Sequence, residues 1–178
     1  MLTNINITLS PTSPFPSQKR GAVVDDEAKS MDKASSTLNR YLHYFSRFDN
    51  HAKAVKFAEK TLVQTEVRMR ELQDLKGVGF MDVQFLLNAV TAVISCRHVL
   101  QWTYAYGFYL KDSPSKALFE TYQEQLEKFC EHLHELAEKP LAELQQIRLR
   151  TDVINYTRVT EKYRDNIVRA IENNFQES

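Results

Sequence analysis

Glycine and proline are scarce, 4 and 5 in 178 residues. So few breakers, beside many Leu, Glu, Lys, Gln and Ala, point away from a strand-and-turn fold and toward long helices. Cysteine is scarcer still. Cys96 and Cys130 are the only two, which excludes any disulfide framework beyond one bridge. Both fall in predicted helices, and two buried free thiols in a reducing compartment is the simplest reading. Neither sign of charge is in surplus, with 23 Lys plus Arg against 23 Asp plus Glu. A general nucleic-acid binder needs a basic excess to neutralise phosphates, so nucleic acid is not an expected partner. There is no phosphate loop, nucleophile elbow or paired-glycine fingerprint. The N-terminus lacks a basic region followed by a long apolar run, so no signal peptide is expected and a cytoplasmic or nuclear setting follows. No uncharged run reaches the roughly 20 residues of a membrane span.

The most apolar stretch is residues 80–110, with apolar side chains on nearly every face. Asp82 opens it and Arg97 and His98 divide it, so it reads as a central helix buried by other helices rather than by lipid. Before it, Leu38, Leu42, Phe45, Phe48, Ala52, Val55, Leu62, Met69 and Leu72 recur at three- and four-residue steps, predicting a long first helix from about residue 28 that ends at Gly77 and Gly79. After it, Asp112 or Ser113 is a plausible N-cap with Pro114 at the first helical position. A third helix then carries Leu118, Tyr122, Leu126, Phe129, Leu133 and Leu136. Pro140 opens a fourth, striped by Val153, Tyr156, Thr160, Tyr163, Ile167 and Ile171. The expected fold class is all-α: an elongated bundle of about four long helices, with sequential neighbours antiparallel. Residues 29–178 form the domain. Residues 1–28, with Pro11, Pro14 and Pro16 among Ser and Thr, read as a disordered leader.

Candidate chemistry is thin. His132 and His134 lie two steps apart on a helix, so they point about 200° apart and cannot share a metal. Cys130 and His134 could, but no second pair completes four ligands; the histidines read as solvent-facing, beside Glu131 and Glu135. Cys96 precedes Arg97 and His98 but has an apolar setting, unlike a catalytic thiolate. No catalytic, cofactor-binding or metal site is expected, and the chain is not expected to be an enzyme. The run Trp102, Tyr104, Tyr106, Phe108, Tyr109 spreads around a helix and reads as core packing, with phenols reaching polar partners. Two residues stand out. Phe57 points away from the apolar stripe, among Lys53, Ala54, Lys60, Thr61 and Gln64, and an apolar ring on a polar face marks a contact site. Glu161 flanks the core face of the last helix.

Together these residues carry a family resemblance. Tyr41-Leu-His-Tyr44, Arg47-Phe48, Asn50-His51 and Phe57, then Val83-Gln-Phe85, Cys96-Arg97, Trp102-Thr-Tyr-Ala-Tyr106 and Phe108-Tyr-Leu110, resemble the Ariadne domain over residues 37–174. The resemblance implies a helical C-terminal domain of RING-between-RING ubiquitin ligases. Such a domain folds back on the second RING and covers its catalytic cysteine, until the ligase engages a cullin-RING ligase carrying its ubiquitin-like modifier. It also implies that Phe57 and Glu161 belong to the contact. The family's Glu after the Phe is replaced here by Ala58, with Glu59 one step on as a partial substitute. With 2 Cys and 5 His the chain cannot build a RING, so it would meet a second RING in cis within a longer parent, or in trans. The alternative is a helical adaptor or coiled-coil oligomerisation module with no ubiquitin-ligase contact.

Overall fold

A computed structural model describes residues 18–77 and 79–176. It is all-α: α1 (Gln18–Lys76), α2 (Phe80–Tyr109), α3 (Pro114–Ala137), the single turn α4 (Leu141–Leu144) and α5 (Ile147–Gln176). Among the described residues there is no strand. The chain divides into two compact units, Met1–Asn39 and Arg40–Ser178. In the first, α1 begins at Gln18, about ten residues before the boundary expected from composition. The segment after Pro16 has no proline and one glycine, Gly21, so nothing in it stops a helix. Residues 1–17 of the expected leader lie outside the described residues. All that follows concerns the second unit unless stated.

α2 is the centre. It has the length and apolarity of a membrane span, yet more than half of its most apolar window is buried within the protein, and α1, α3 and α5 supply the burial. Leu86, Val93, Cys96 and Leu100 of α2 meet Leu126, Cys130 and Leu133 of α3 and Val153 of α5 in one core with no measurable exposure. α3 runs antiparallel to α2: Tyr104 reaches Glu127, Thr103 meets Gln123, and Arg97 meets Glu131. α5 runs beside α2 in the same direction, with Arg150 on Asp82 and Arg164 on Ser95.

The stripe on α1 differs from the one expected. Leu38, Leu42 and Phe45 are exposed, while Tyr44, His51, Ala58, Thr65 and Leu72 are buried. With Phe48, Val55, Leu62 and Met69 they form an unbroken 4-3 alternation from 44 to 72, a heptad seam. Phe48, Val55, Leu62, Met69 and Leu72 belong to the expected stripe; the other four seam positions, Tyr44, His51, Ala58 and Thr65, are polar or small and escape a count of large apolar residues. α3 departs in the same way. Leu118 and Tyr122 are exposed, and buried Gln123 holds the inward position by donating to Thr103 Oγ1 at 2.8 Å.

The ends are settled by local chemistry. Gly77 takes φ +60°, and its N–H closes on Gln73 O at 2.7 Å, as a left-handed helix exit requires. Ser113 caps α3 through Lys116 N–H, at 3.1 Å, with Pro114 at the first position. Pro140 opens only the turn α4. Gln146 N–H bonds to Glu143 O, a tighter i to i+3 closure, and α5 starts afresh at Ile147. Gly107 of α2 leaves room for a ring of α1: a Cβ there would meet Tyr44 Cε1 at 3.1 Å.

Two arginines of α1 tie it to helix ends. Arg40 donates to the carbonyls of Phe108 and Leu110, at 2.7 and 3.0 Å. Arg68 donates to those of Ala137, at 2.7 Å, and Lys139. Because α2 and α3 are antiparallel, their C-termini lie at opposite ends of the bundle. One long helix therefore caps both, with the favourable charge for each dipole.

Candidate protein-interaction surface

Between those two anchors α1 presents Phe57, with 59% of its surface in water. The next residue, Ala58, is 1% exposed and sits in the seam, so it has no side chain to offer a partner. Glu59 is exposed but lies about 200° around the helix from Phe57. The two cannot share one small contact, and Glu59 serves the opposite flank of α1.

Glu161 lies elsewhere. It is half-buried in a groove of about 350 Å³ between α2 and α5, lined by Phe85, Leu87, Asn88, Thr91, Ile154, Thr157 and Arg158. Neither Glu161 nor Arg158 has a hydrogen-bond or ion-pair partner among the described residues. The groove thus sets two unpaired charges of opposite sign, one turn apart, beside the apolar side chains of Phe85, Leu87 and Ile154. Phe57 takes no part in that groove. Arg158, Asn88 and Thr91 went unnoticed in the sequence, and only the i, i+3 spacing of Arg158 and Glu161 could have pointed to the first of them.

What fixes α1, and so Phe57, is a set of directed bonds. His51 is 5% exposed, places Nε2 at 3.3 Å from Glu127 and stacks on Tyr104 at 5.5 Å between centroids. Tyr104 donates to the same carboxylate at 2.9 Å. The bond from His51, ahead of the opposing cost of burial, holds the Glu127 carboxyl below the ordinary carboxylate range. Burial, with Glu127 alongside, pushes the Tyr104 phenol up. Tyr44 donates to Glu120.

The remaining candidates for chemistry fall into structural roles. Cys96 and Cys130 are free and buried. Desolvation pushes the Cys96 thiol up to about 12 and raises Cys130 as well, so neither is a nucleophile at neutral pH. His134 is not solvent-facing: its side chain is 17% exposed, and its Nδ1 lies 3.3 Å from the buried Arg97 guanidinium. Arg97 can only donate, so that nitrogen is the acceptor. His132 turns the other way, onto Tyr156 at 4.4 Å. Among the described residues no three His, Cys, Asp or Glu side chains converge as a metal would need. The aromatic run is only partly core. Tyr104 is buried, but Trp102 is 63% and Tyr109 82% exposed.

The class of protein that the fold defines is an all-α helical bundle, with an exposed ring on α1 and an open groove between α2 and α5. Residues 39–178 match the model of the Ariadne domain, and the chain belongs to that family. It is similar to E3 ubiquitin-protein ligase dbl4 of Schizosaccharomyces pombe, 35% identical over 136 residues, which are 76% of this chain and 27% of the relative. It is also similar to E3 ubiquitin-protein ligase ariadne-1 of Drosophila melanogaster (34% identical, 78% of this chain, 28% of the relative). A third relative is probable E3 ubiquitin-protein ligase ARI8 of Arabidopsis thaliana (31% identical, 89% of this chain, 30% of the relative). The chain thus spans less than a third of the length of each. The family match starts at residue 39, one residue before the second compact unit begins at Arg40.

Proposed function

We propose that this domain works in protein ubiquitination as the regulatory, non-catalytic part of a RING-between-RING ligase, packing on the catalytic second RING and holding it inactive. The observation that carries the reading is Phe57: a ring more than half in water, on a helix anchored on either side of it by Arg40 and Arg68, in a domain whose relatives are ubiquitin ligases. Glu161, unpaired in its groove, supplies a second contact to the same partner. Ala58 leaves the clamp lighter by one carboxylate than the family pattern, so release on engaging a cullin-RING ligase needs less opposing energy. The setting is cytoplasmic or nuclear.

The test adds the purified chain to a family ligase stripped of its own Ariadne domain. Untethered, it lacks the roughly millimolar effective concentration of a short linker, so ~100 µM is the working range. Ubiquitin transfer should fall. Phe57→Ala should relieve that inhibition with the melting temperature unchanged. Undiminished transfer at ~100 µM sinks the inhibitory reading, and a large drop in melting temperature for Phe57→Ala would make Phe57 a packing residue instead. One observation favours the oligomerising arm. In the first unit Met31 and Leu38 lie seven residues apart on α1, 73% and 56% exposed, and a mass that rises with concentration would support it.

A further inference from the structure

The exposed rings at the junction of α1 and α2 form two rows. Tyr41, Phe45 and Phe48 follow one another at helical spacing on α1. Trp102 and Tyr109 lie two turns apart on α2, with half-buried Ala105 between them. Tyr41 stacks on Phe45 (5.4 Å, 12°), Phe48 meets Trp102 edge-on at 5.5 Å, and Tyr41 meets Phe108 at 6.2 Å. Tyr41, Phe45, Trp102 and Tyr109 are 47%, 48%, 63% and 82% exposed. At 150–250 Å² per ring the four leave about 500 Å² in water, as much as the largest apolar patch of an ordinary monomer.

The polar atoms of the patch say what could cover it. The Trp102 indole N–H and the Tyr41 and Tyr109 hydroxyls have no hydrogen-bond partner among the described residues. The carboxylates adjoining the rows in sequence are already taken, Asp49 by Lys53 at 2.5 Å and Asp112 by Lys116 at 2.6 Å. The patch therefore offers donors and no free carboxylate. An α-helix laid across it brings carbonyls already spent on its own N–H groups, so its backbone cannot meet those donors and only its side chains could. A polyproline II strand brings unspent carbonyls, and its prolines have no N–H to satisfy. The spacing agrees. Three residues of polyproline II advance about 9 Å, and the seven-residue step from Trp102 to Tyr109 is about 10.5 Å. Prolines at i and i+3 thus fall one on each ring.

We propose that the aromatic face formed by Tyr41, Phe45, Trp102 and Tyr109 docks a proline-rich segment of a partner protein in the polyproline II form. This site is separate from Phe57 and Glu161 and stands whether or not the domain inhibits a RING.

Trp102 is the only tryptophan in the chain, so its emission reports occupancy directly. The full-length chain is titrated with a synthetic peptide carrying proline at every third position. A Gly-Ser peptide and an amphipathic helical peptide serve as comparators. The series is repeated with Pro11, Pro14 and Pro16 replaced by Ser, so that the chain's own prolines cannot compete. The proline peptide alone should give a saturable blue shift, half-maximal below ~1 mM. Tyr109→Ala should weaken binding at least tenfold with melting unchanged, since that ring is mostly in water. A flat titration in both chains overturns the proposal. So does an equal response to the helical peptide, or a Tyr109→Ala chain that binds as tightly as wild type.

Discussion

Replacing either anchoring arginine with alanine should loosen the whole first helix. Arg40 makes two hydrogen bonds to the carbonyls of Phe108 and Leu110, and Arg68 makes two to those of Ala137 and Lys139. A charged donor on a carbonyl contributes ~1.5–3 kcal/mol net where it is shielded, and less where water competes. Both arginines are half-buried. Burial also pulls the Arg68 pKa down from its ordinary value, a desolvation cost to set against the gain. We therefore expect each Arg→Ala change to cost about 1–2 kcal/mol. The two positions are four heptads apart, ~42 Å along the helix, so their losses should add. With a urea m value of about 2 kcal/mol/M, each single variant lowers the unfolding midpoint by ~0.5–1 M and the double variant by about twice that. Arg→Lys keeps the charge but loses the two-pronged fork, and should restore only part. Urea titration followed by circular dichroism reads all of these. A double variant no weaker than the worse single, or single shifts under ~0.2 M, would refute the strap.

Three further outcomes follow from the interior. Gln123→Ala should cost about 0.5–1.5 kcal/mol in the same titration, because it removes the bond that the buried Thr103 hydroxyl accepts while that hydroxyl keeps its own bond to Leu100 O; no loss would remove this bond from the account. The two thiols should react with a thiol reagent at pH 8 only as fast as the protein unfolds, and prompt labelling of Cys96 would contradict its burial and raised pKa. Glu127 is held below its ordinary value near 4.5. It therefore contributes stability above the pH at which it titrates unfolded, and that contribution is lost as pH falls through its folded value. Glu127→Gln should flatten the stability-versus-pH curve below about pH 4.5, and an unchanged slope would remove the pair with His51 from the account.

The class of fold, the central helix and the caps at Gly77 and Ser113 were legible because each rests on one strong local signal: an all-round apolar run, a left-handed exit, a Ser-Pro start. The faces of α1 and α3 were legible only in part: Val55, Met69, Leu72, Leu126, Leu133 and Leu136 are buried as their spacing predicts. Leu38, Leu42 and Phe45 look like core, and His51, Thr65 and Gln123 do not, because hydrophobicity does not record that a polar group can be buried when a partner stands opposite. Glu127 and Thr103 are those partners for His51 and Gln123, and they lie 76 and 20 residues away in the chain, while Thr65 donates back to Thr61 O within α1. The same blindness hid the exposure of Trp102 and Tyr109. Phe57 was legible for the opposite reason: its helical neighbours are nearly all polar, so no choice of partner helix could make it core without burying lysines.

The polar seam also explains why Phe57 is where it is. The joint of α2, α3 and α5 is filled by Leu86, Leu100, Leu126, Leu133, Leu144 and Val153, which tolerate small slides against one another. The seam of α1 instead alternates apolar layers with Tyr44, His51 and Thr65, and its cross-helix bonds repeat in step: Tyr44 to Glu120, then His51 to Glu127, seven residues on in each helix. A polar layer gives up stability and specifies register. Sliding α1 by one residue would turn every side chain by about 100°, break both bonds and swing Phe57 out of its present direction. The residues that look least suited to a core are thus the ones that aim Phe57 and the surface proposed around it.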